Sequence, residues 1–463
     1  MKIINLRTLN MRYSLTVLLL LVGILLFAQN KQWTLEECVN YAIENNLTVK
    51  QSVLDAKTAE ENINTARGNF LPNLTGNASQ NYNFGSFIGQ DGRRISRDSR
   101  GNSFGLNTGV VVFNGFQNTN IYRQAKLGLE SSQLELDILK DNISLNVVNA
   151  YLNILLNKEG FKIAEEQVNL SQNQVNQMKE LVNSGASPKA DVLESQAQLA
   201  RDQERQISAQ NSIDLSLLSL SQLLQVPYID FDVQEMLLDL SSIVLESNNP
   251  NAIFNYALEN RPEIKGAELD IMNSDYGVKI AEGSFYPLLT FGVGMNTSYQ
   301  HLQGQEDIRI IIDEDNNIST VPNGFGTQLK DNLGYNFGFN LSVPIFNRLQ
   351  TKAAVSRAEI FKEKSLIRLE EEKQVLRTII ERAYADANAA FKQYEASSSS
   401  VEAQQEAFKN SQESFNLGVM TSFDFEQTRF RLVDAQSKLI NAKYDFVFKT
   451  KVLDFYLGKS LID

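Results

Sequence analysis

The chain has 463 residues and a net charge of −12, from 43 Lys and Arg against 55 Asp and Glu. That sign of charge argues against nucleic acid as a partner, and a single cysteine, Cys38, leaves no internal disulfide. With one histidine, His301, neither a Cys/His metal site nor a His- or Cys-based catalytic system can readily be built, so no cofactor, metal or enzymatic activity is expected.

Residues 1–28 read as a secretory signal. Lys2, Arg7 and Arg12 form the basic flank, and Leu15–Phe27 the apolar core, about 13 residues and short for a membrane span. Cleavage is expected after Ala28, although Leu26 at the −3 position is large. Met11 is an alternative start, and an uncleaved anchor is the competing reading of the leader. Cys38, beside Glu36 and Glu37, lies too far past the cleavage site to be a lipid-modified cysteine. No second apolar run reaches the roughly 18 residues of a membrane helix. The mature chain is therefore exported, and either soluble or a β-barrel.

The first half is assigned to residues 29–227. Thr34-Leu35-Glu36-Glu37 is a capping box that opens a helix expected to run to about Arg67. Pro72 ends helical continuation. After it Leu74, Gly76, Ala78, Tyr82 and Phe84 alternate with Thr75, Asn77, Ser79, Asn81 and Asn83. A polar, loop-like stretch from Gly85 to Gly101 follows. Alternation then resumes, with Phe104, Leu106, Thr108, Val110 and Val112 against Ser103, Gly105, Asn107 and Gly109. This predicts a hairpin over about 71–113. From Asn114 to Ser184 there is no proline. Leu134, Ile138, Leu145, Val148, Leu152 and Leu155 fit a heptad seam that Asp141 interrupts. A continuous helix of that length would span roughly 105 Å, and Gly160 leaves open one helix or two stacked ones. Gly185-Ala186-Ser187-Pro188 stops it, a second helix covers Lys189–Leu224, and residues 228–250 join the halves.

The second half, 251–463, repeats the plan. Asn40–Thr75 shifted by 215 residues falls on Asn255–Thr290 without a gap, 14 of 36 positions being identical. A long period present twice means a duplicated half-protein and not a solenoid. Pro287 precedes a second hairpin, about 286–345. Leu289, Phe291, Val293, Met295, Thr297 and Tyr299 alternate with small or polar residues, and so do Leu333, Tyr335, Phe337, Phe339, Leu341 and Val343. Beyond the hairpin the offset is 233: Gly105, Gly185 and Asp191 recur as Gly338, Gly418 and Asp424. The extra 18 residues are expected in the acidic and polar loop His301–Asn332. A second long helix, Asn347–Leu417, carries Leu366, Leu369, Leu376, Ile380, Ala383, Ala387, Ala390 and Tyr394 at 3-4 spacing, the alanines allowing close approach. Gly418-Val419-Met420-Thr421 turns the chain into a last helix ending near Leu457.

Apolar-out, polar-in alternation over about ten residues marks a transmembrane β-strand. The competing reading, a sheet on a soluble core, must explain an inner face with almost nothing apolar to bury. Four strands cannot close a barrel, since the smallest have eight and an open edge is not tolerated in lipid. Two copies give eight strands, whose interior side chains fill; three give twelve and a channel.

The capping box, the two Asn-Tyr-Ala-x-Glu-Asn segments and the two Phe-x-Pro elements resemble the TolC-like outer-membrane efflux family. So do the turns Asn183-Ser184-Gly185 and Asn416-Leu417-Gly418, each with aspartate six residues past the glycine. The resemblance covers the mature chain and implies an α+β membrane protein. It would be a homotrimer with a 12-stranded barrel in the outer membrane of a Gram-negative bacterium, continued by a long periplasmic α-barrel. Its function would be that of a passive exit duct for efflux or type I secretion, driven by an inner-membrane transporter through a periplasmic adaptor. The alternative is an exported coiled-coil structural or surface protein without a channel.

The resemblance assigns adaptor docking to the tips, Gly185, Ala186, Ser187 and Pro188 with Gly418, Val419, Met420 and Thr421. It assigns the pore aperture to Asp191 and Asp424, with Gln427 where relatives can carry a second aspartate. A ring of carboxylates selects cations, although an aspartate in a first helical turn also simply favours the helix. Pro72, Pro287 and Pro344 mark the transitions between helix and strand, with Val111 the counterpart of Pro344. The run Asp313-Glu314-Asp315-Asn316-Asn317 lacks the glycine and distal glutamate of a calcium loop, so a solvated extracellular loop is expected, with His301 at its surface.

Overall fold

The computed structural model describes residues 32–236, 249–312, 314 and 316–461. The expected signal, half of the inter-repeat junction, and Asp313 and Asp315 of the acidic run lie outside them. In the first half the order is β1 (Gln32–Trp33), α1 (Leu35–Asn45), α2 (Leu47–Gly68), β2 (Asn73–Asn83), β3 (Ser86–Ile88), β4 (Arg94–Ser96), β5 (Ser99–Asn114), α3 (Gln117–Asn183), α4 (Lys189–Leu224) and β6 (Asp232–Val233). In the second it is α5 (Pro250–Asn260), α6 (Pro262–Gly283), β7 (Leu288–Leu302), β8 (Ile308–Ile312), β9 (Ile318–Pro322), α7 (Phe325–Asp331), β10 (Gly334–Ser342), α8 (Gln350–Asn416) and α9 (Ser422–Tyr456). Two compact units result, and each draws on both halves. One holds the described residues through Leu54, Leu134–Lys265 and those from Glu370; the other holds Asp55–Gln133 and Gly266–Leu369.

The capping box forms as expected. Glu37 N–H donates to Thr34 Oγ1 and Thr34 N–H to Glu37 Oε2, both at 3.1 Å. The helix it opens does not run to Arg67; it breaks at Asn46, where ψ is 130°. The Asn46 carboxamide accepts from Thr48 N–H at 2.8 Å and donates to the Leu223 carbonyl at 3.5 Å. A short polar side chain that bonds nearby backbone competes with helix and starts a new one. The second half breaks at the equivalent Arg261 for a different reason: Pro262 follows, and the residue ahead of a proline is pushed out of the helical region.

In the first unit the apolar faces meet in one core. Cys38, Val39 and Ala42 pack with Val147, Tyr151 and Ile154 of α3, Leu217, Leu220 and Leu224 of α4, and Tyr444 and Val447 of α9. Each fully buried aliphatic side chain there contributes about 1.5–3 kcal/mol. The short parallel pair β1–β6, absent from the sequence reading, is pinned by Tyr151, whose hydroxyl donates to the Gln234 carbonyl at 2.7 Å. Lys158 Nζ reinforces it, 2.6 Å from Asp232 Oδ1. α3 is a single unbroken helix of 67 residues, Gly160 included. α8 matches it at 67 residues, with Leu376, Ile380, Ala387 and Ala390 buried and Leu366 exposed.

In the second unit a four-stranded antiparallel sheet runs β10-β7-β5-β2, so β5 and β7 join the two hairpins. β5 and β7 reach 16 and 15 residues, longer than the alternation alone implied. Both hairpin loops carry secondary structure where the sequence reads loop: β3–β4 in the first, and β8–β9 with α7 in the second. His301 accordingly belongs to β7, is half-buried, and lies 2.9 Å from Asp307.

Candidate functional site

The register sorts the sheet into two faces. On one, Asn77, Gly105, Asn296 and Gly334 line up in one row, and Thr75, Asn107, Gly294 and Asn336 in the next. These rows are uncharged and carry only asparagine, threonine and glycine. Their asparagines bridge strands: Asn107 Nδ2 donates to Asn77 Oδ1 at 3.1 Å and Asn296 Nδ2 to Asn336 Oδ1 at 3.2 Å. Gly105 and Gly294 make room for them, since a Cβ at either would fall within 3 Å of an asparagine side chain. On the other face lie Leu106, Met295 and Tyr335 in one row and Thr108, Val293 and Phe337 in another. Phe337 is 80% and Phe339 71% exposed. β2 and β10 are the outer strands of this sheet, so each presents an unpaired backbone edge. Such edges invite pairing with another chain.

Pro72 and Pro287 stand immediately before β2 and β7, and Pro344 follows the end of β10 at Ser342. A proline cannot donate to the ladder, so β10 stops there. Val111 imposes no such stop, and β5 continues through a bulge at Val112 to pair Asn114 with Leu288. Where β5 hands over to α3, Gly115 and Gly283 approach backbone to backbone: a Cβ on Gly115 would land on the Gly283 carbonyl. Gln117 closes the joint, its Nε2 donating to the Ile280 carbonyl at 3.0 Å and Ser284 Oγ at 2.8 Å.

The helical tips are both glycine-capped. Gly185 has φ 78° and Gly418 φ 74°. The following amides reach back over a turn, Ala186 to Leu181 and Val419 to Ser414, at 2.8 and 3.1 Å. Pro188 and Thr421 then cap α4 and α9. Asp191 and Asp424 sit in the first turns of those helices and are bound locally. Ser187 Oγ donates to Asp191 at 2.5 Å, and Thr421 Oγ1 donates to Asp424 at 2.7 Å while accepting from its N–H. Asp424 and Gln427 are exposed and Asp191 half-buried. Leu417 and Val419 hold apolar surface out at the tip, 79% and 78% exposed.

A polar cluster that the sequence reading missed lies beside these tips. Asp202 is 1% and Arg429 4% exposed. Arg429 donates to Asp202 at 2.9 Å and to Ser171 Oγ at 2.5 Å, joining α9 to α4 and α3. Asp202 also accepts from Ser171 Oγ, Gln198 and Arg205. Glu426 Oε2 lies 2.9 Å from Arg429, while its Oε1 is buried without a partner. Burial pushes the Glu426 carboxyl above its ordinary range, against the pull of Arg429. Gln427, Phe423 and Phe430 line the adjoining cleft, of about 360 Å³. The signal was present: Arg429 occupies the seam of Phe425, Leu432 and Ala435, and a cation on an apolar seam requires a buried anion.

These features match a known family. The profile described as "Outer membrane efflux protein" matches residues 38–225 and 253–459, one span in each half. The chain belongs to the outer membrane efflux protein family. Among its relatives, outer membrane efflux protein BepC of Brucella suis is 21% identical over 432 residues, covering 93% of this chain and 86% of the relative. Outer membrane protein TolC of Escherichia coli K12 is 21% identical over 417 residues, covering 89% and 80%. In fold, the chain is similar to the CmeC outer membrane channel of Campylobacter jejuni, with a TM-score of 0.74, 17% identity, and 93% and 86% of the two chains covered. The efflux family is one of transport proteins, and its members are located in the outer membrane. The family expected from the capping box, the Phe-x-Pro elements and the helical turns is thereby shown.

Proposed function

We propose that this outer membrane efflux protein is one of three copies that together form an exit duct. Three four-stranded sheets, paired between the β2 edge of one copy and the β10 edge of the next, make a 12-stranded barrel. The asparagine- and glycine-rich face lines a water-filled lumen and the apolar face meets lipid. The long helices α3, α4, α8 and α9 continue the duct as a periplasmic α-barrel. The tips Gly185–Pro188 and Gly418–Thr421 receive a periplasmic adaptor that links the duct to an inner-membrane pump. Asp424, with Asp191 behind it, contributes carboxylates to the aperture, where like charges favour cations. The duct is passive, and the pump supplies the energy and selects the cargo in efflux or type I secretion.

The observation that carries this proposal is the register of the sheet. It places a polar, uncharged face opposite an exposed aromatic one and leaves both outer edges unpaired. A sheet packed on a soluble core would bury its apolar face, whereas Tyr335, Phe337, Phe339 and Leu341 are all more than half exposed. The test is protease protection in outer-membrane vesicles. With protease admitted to the vesicle lumen by freeze–thaw, a barrel shields β2, β5, β7 and β10 while the helices, which project into that lumen, are cleaved. Digestion of the strands at the same rate as the helices would favour an exported coiled-coil protein instead.

A further inference from the structure

The insertion that lengthens the second hairpin is fastened to the apolar side of the sheet. Thr297, Tyr299 and His301 alternate along β7, opposite Phe104, Asn102 and Arg100, on the apolar face. All three hold the insertion. Thr297 Oγ1 donates to the Leu329 carbonyl at 2.6 Å, Tyr299 OH donates to Asp307 Oδ2 at 2.8 Å, and His301 Nδ1 is 2.9 Å from Asp307 Oδ1. Phe325 of α7 sets its ring edge-on to Tyr299 and Phe104, at centroid distances of 5.0 and 6.4 Å. Gln328 takes up the β7 backbone where β10 has ended, accepting from Gln300 N–H and donating to its carbonyl.

The hairpin β8–β9 rises from this anchored base. Asn323 N–H donates to the Asp307 carbonyl at 2.7 Å and Arg309 pairs with Asp331 of α7. Its register aligns Ile308, Ile310 and Ile312 with Pro322, Thr320 and Ile318 on one face. Ile310, Ile312 and Ile318 are 67%, 62% and 73% exposed. Arg309 and Ile311 lie on the opposite face, beside Val321 and Ser319. An isoleucine face of this kind in water is an aggregation hazard. The base of the hairpin is thus held on the same side of the sheet as Tyr335, Phe337 and Phe339.

We infer that the isoleucine face of β8–β9 is a lipid-binding surface, seated in the outer leaflet beside the barrel. This rests on the channel proposal, which makes the aromatic face of the sheet the lipid side. The occupant is lipid hydrocarbon, on the ground that the hairpin is anchored on that side of the sheet and carries an exposed isoleucine face. The polar turn between β8 and β9, with Glu314 and Asn316, keeps the tip of the hairpin at the aqueous boundary, so the hairpin lies along the membrane surface as an amphipathic element does.

Nitroxide labels on the full-length assembled protein in vesicles of Escherichia coli polar lipid test this. The native Cys38 is buried and is replaced by Cys38→Ser in the background. Labels are placed at Ile310→Cys, Ile312→Cys, Ile311→Cys and, on β10, Phe339→Cys. The expected result is greater accessibility to oxygen than to a water-soluble nickel chelate at positions 310, 312 and 339, with the reverse at 311. Chelate access at 310 and 312 with position 339 still in lipid overturns the inference alone. Exclusion of both reagents at 310 and 312 also overturns it, showing protein and not lipid on the face. Chelate access at 339 as well would overturn the channel proposal on which the inference rests.

Discussion

The guanidinium of Arg261 lies 3.0 Å from the carboxylate of Asp141, and this pair accounts for the aspartate that interrupts the apolar seam of α3. Arg261 also holds Glu263 at 2.7 Å and stacks its guanidinium 4.2 Å from the Phe455 ring of α9. One side chain at the break between α5 and α6 thus ties together α3, α6 and α9. Arg261→Ala leaves two carboxylates and an aromatic face without their cation. Because Asp141 and Glu263 are about a third exposed, solvent screens part of the loss, and we expect destabilisation by about 2 kcal/mol. Thermal unfolding of the purified protein in detergent, followed by helical circular dichroism, measures it; an unchanged Tm would count against a structural role for the pair.

Asp202 and Arg429 present the opposite case, a pair almost wholly out of water. Arg429→Ala leaves Asp202 with only the exposed Arg205 as cation and Glu426 with none, so it should cost about 3–5 kcal/mol. Replacing both with aliphatic residues, as in the double variant Asp202→Leu with Arg429→Leu, should recover part of that loss, Glu426 still lacking its cation. The comparison is a double-mutant cycle on Tm. Additive losses would mean that the two groups do not act as a pair.

Glu426 gives the cluster a pH dependence of known sign. Its carboxyl titrates above its ordinary value of 4.5 in the folded protein, chiefly through burial. The folded state therefore retains a proton that the unfolded chain releases, and stability present below pH 4.5 is lost as pH rises through the raised value. Glu426→Gln keeps the neutral form at every pH. The variant should show a flatter stability profile above pH 4.5 and a higher Tm at pH 7 than the native protein. Parallel profiles for the two proteins would refute this.

Gly115 and Gly283 should tolerate no side chain, because each Cβ position is already occupied by the other segment's atoms. Gly115 also has φ 65°, which alanine adopts only with strain. Gly115→Ala or Gly283→Ala is expected to displace the joint between β5 and α3 and to reduce the yield of folded protein in the outer membrane severely. Gly128→Ala, inside α3 with nothing near its Cβ position, should instead stabilise by about 0.5–1 kcal/mol. Equal behaviour of the three variants would contradict the geometry.

What the sequence made legible was whatever a local pattern encodes. The alternation in Leu333–Val343 identified a strand with two unlike faces, because one face is polar throughout. Gly185, Pro188 and Gly418 marked the helix ends, because a positive φ and a missing donor are local properties. The duplication located the long strands and the long helices twice. The break at Asn46 escaped because its carboxamide reaches Leu223, 177 residues away. The companion break at Arg261 also went unread, although Pro262 after it was a local signal. The pair β1–β6 depends on Tyr151, and the cluster at Asp202 on helices far apart in sequence, so periodicity within one segment reveals neither. Asp141 and Arg429 were the visible clues, each a charge on an apolar seam. The insertion read as a solvated loop because its acidic residues dominate the composition, while the alternation of Ile308, Ile310 and Ile312 spans only five residues.

In the proposed assembly the four strands of one chain are a third of a closed, water-filled barrel. Single-channel recording of the purified protein in planar lipid bilayers tests it most directly, with the mass of the inserted species determined in parallel. Detergent-dependent solubility, a mass of three chains and discrete conductance steps are expected. A water-soluble monomer that leaves the bilayer silent would contradict that assembly.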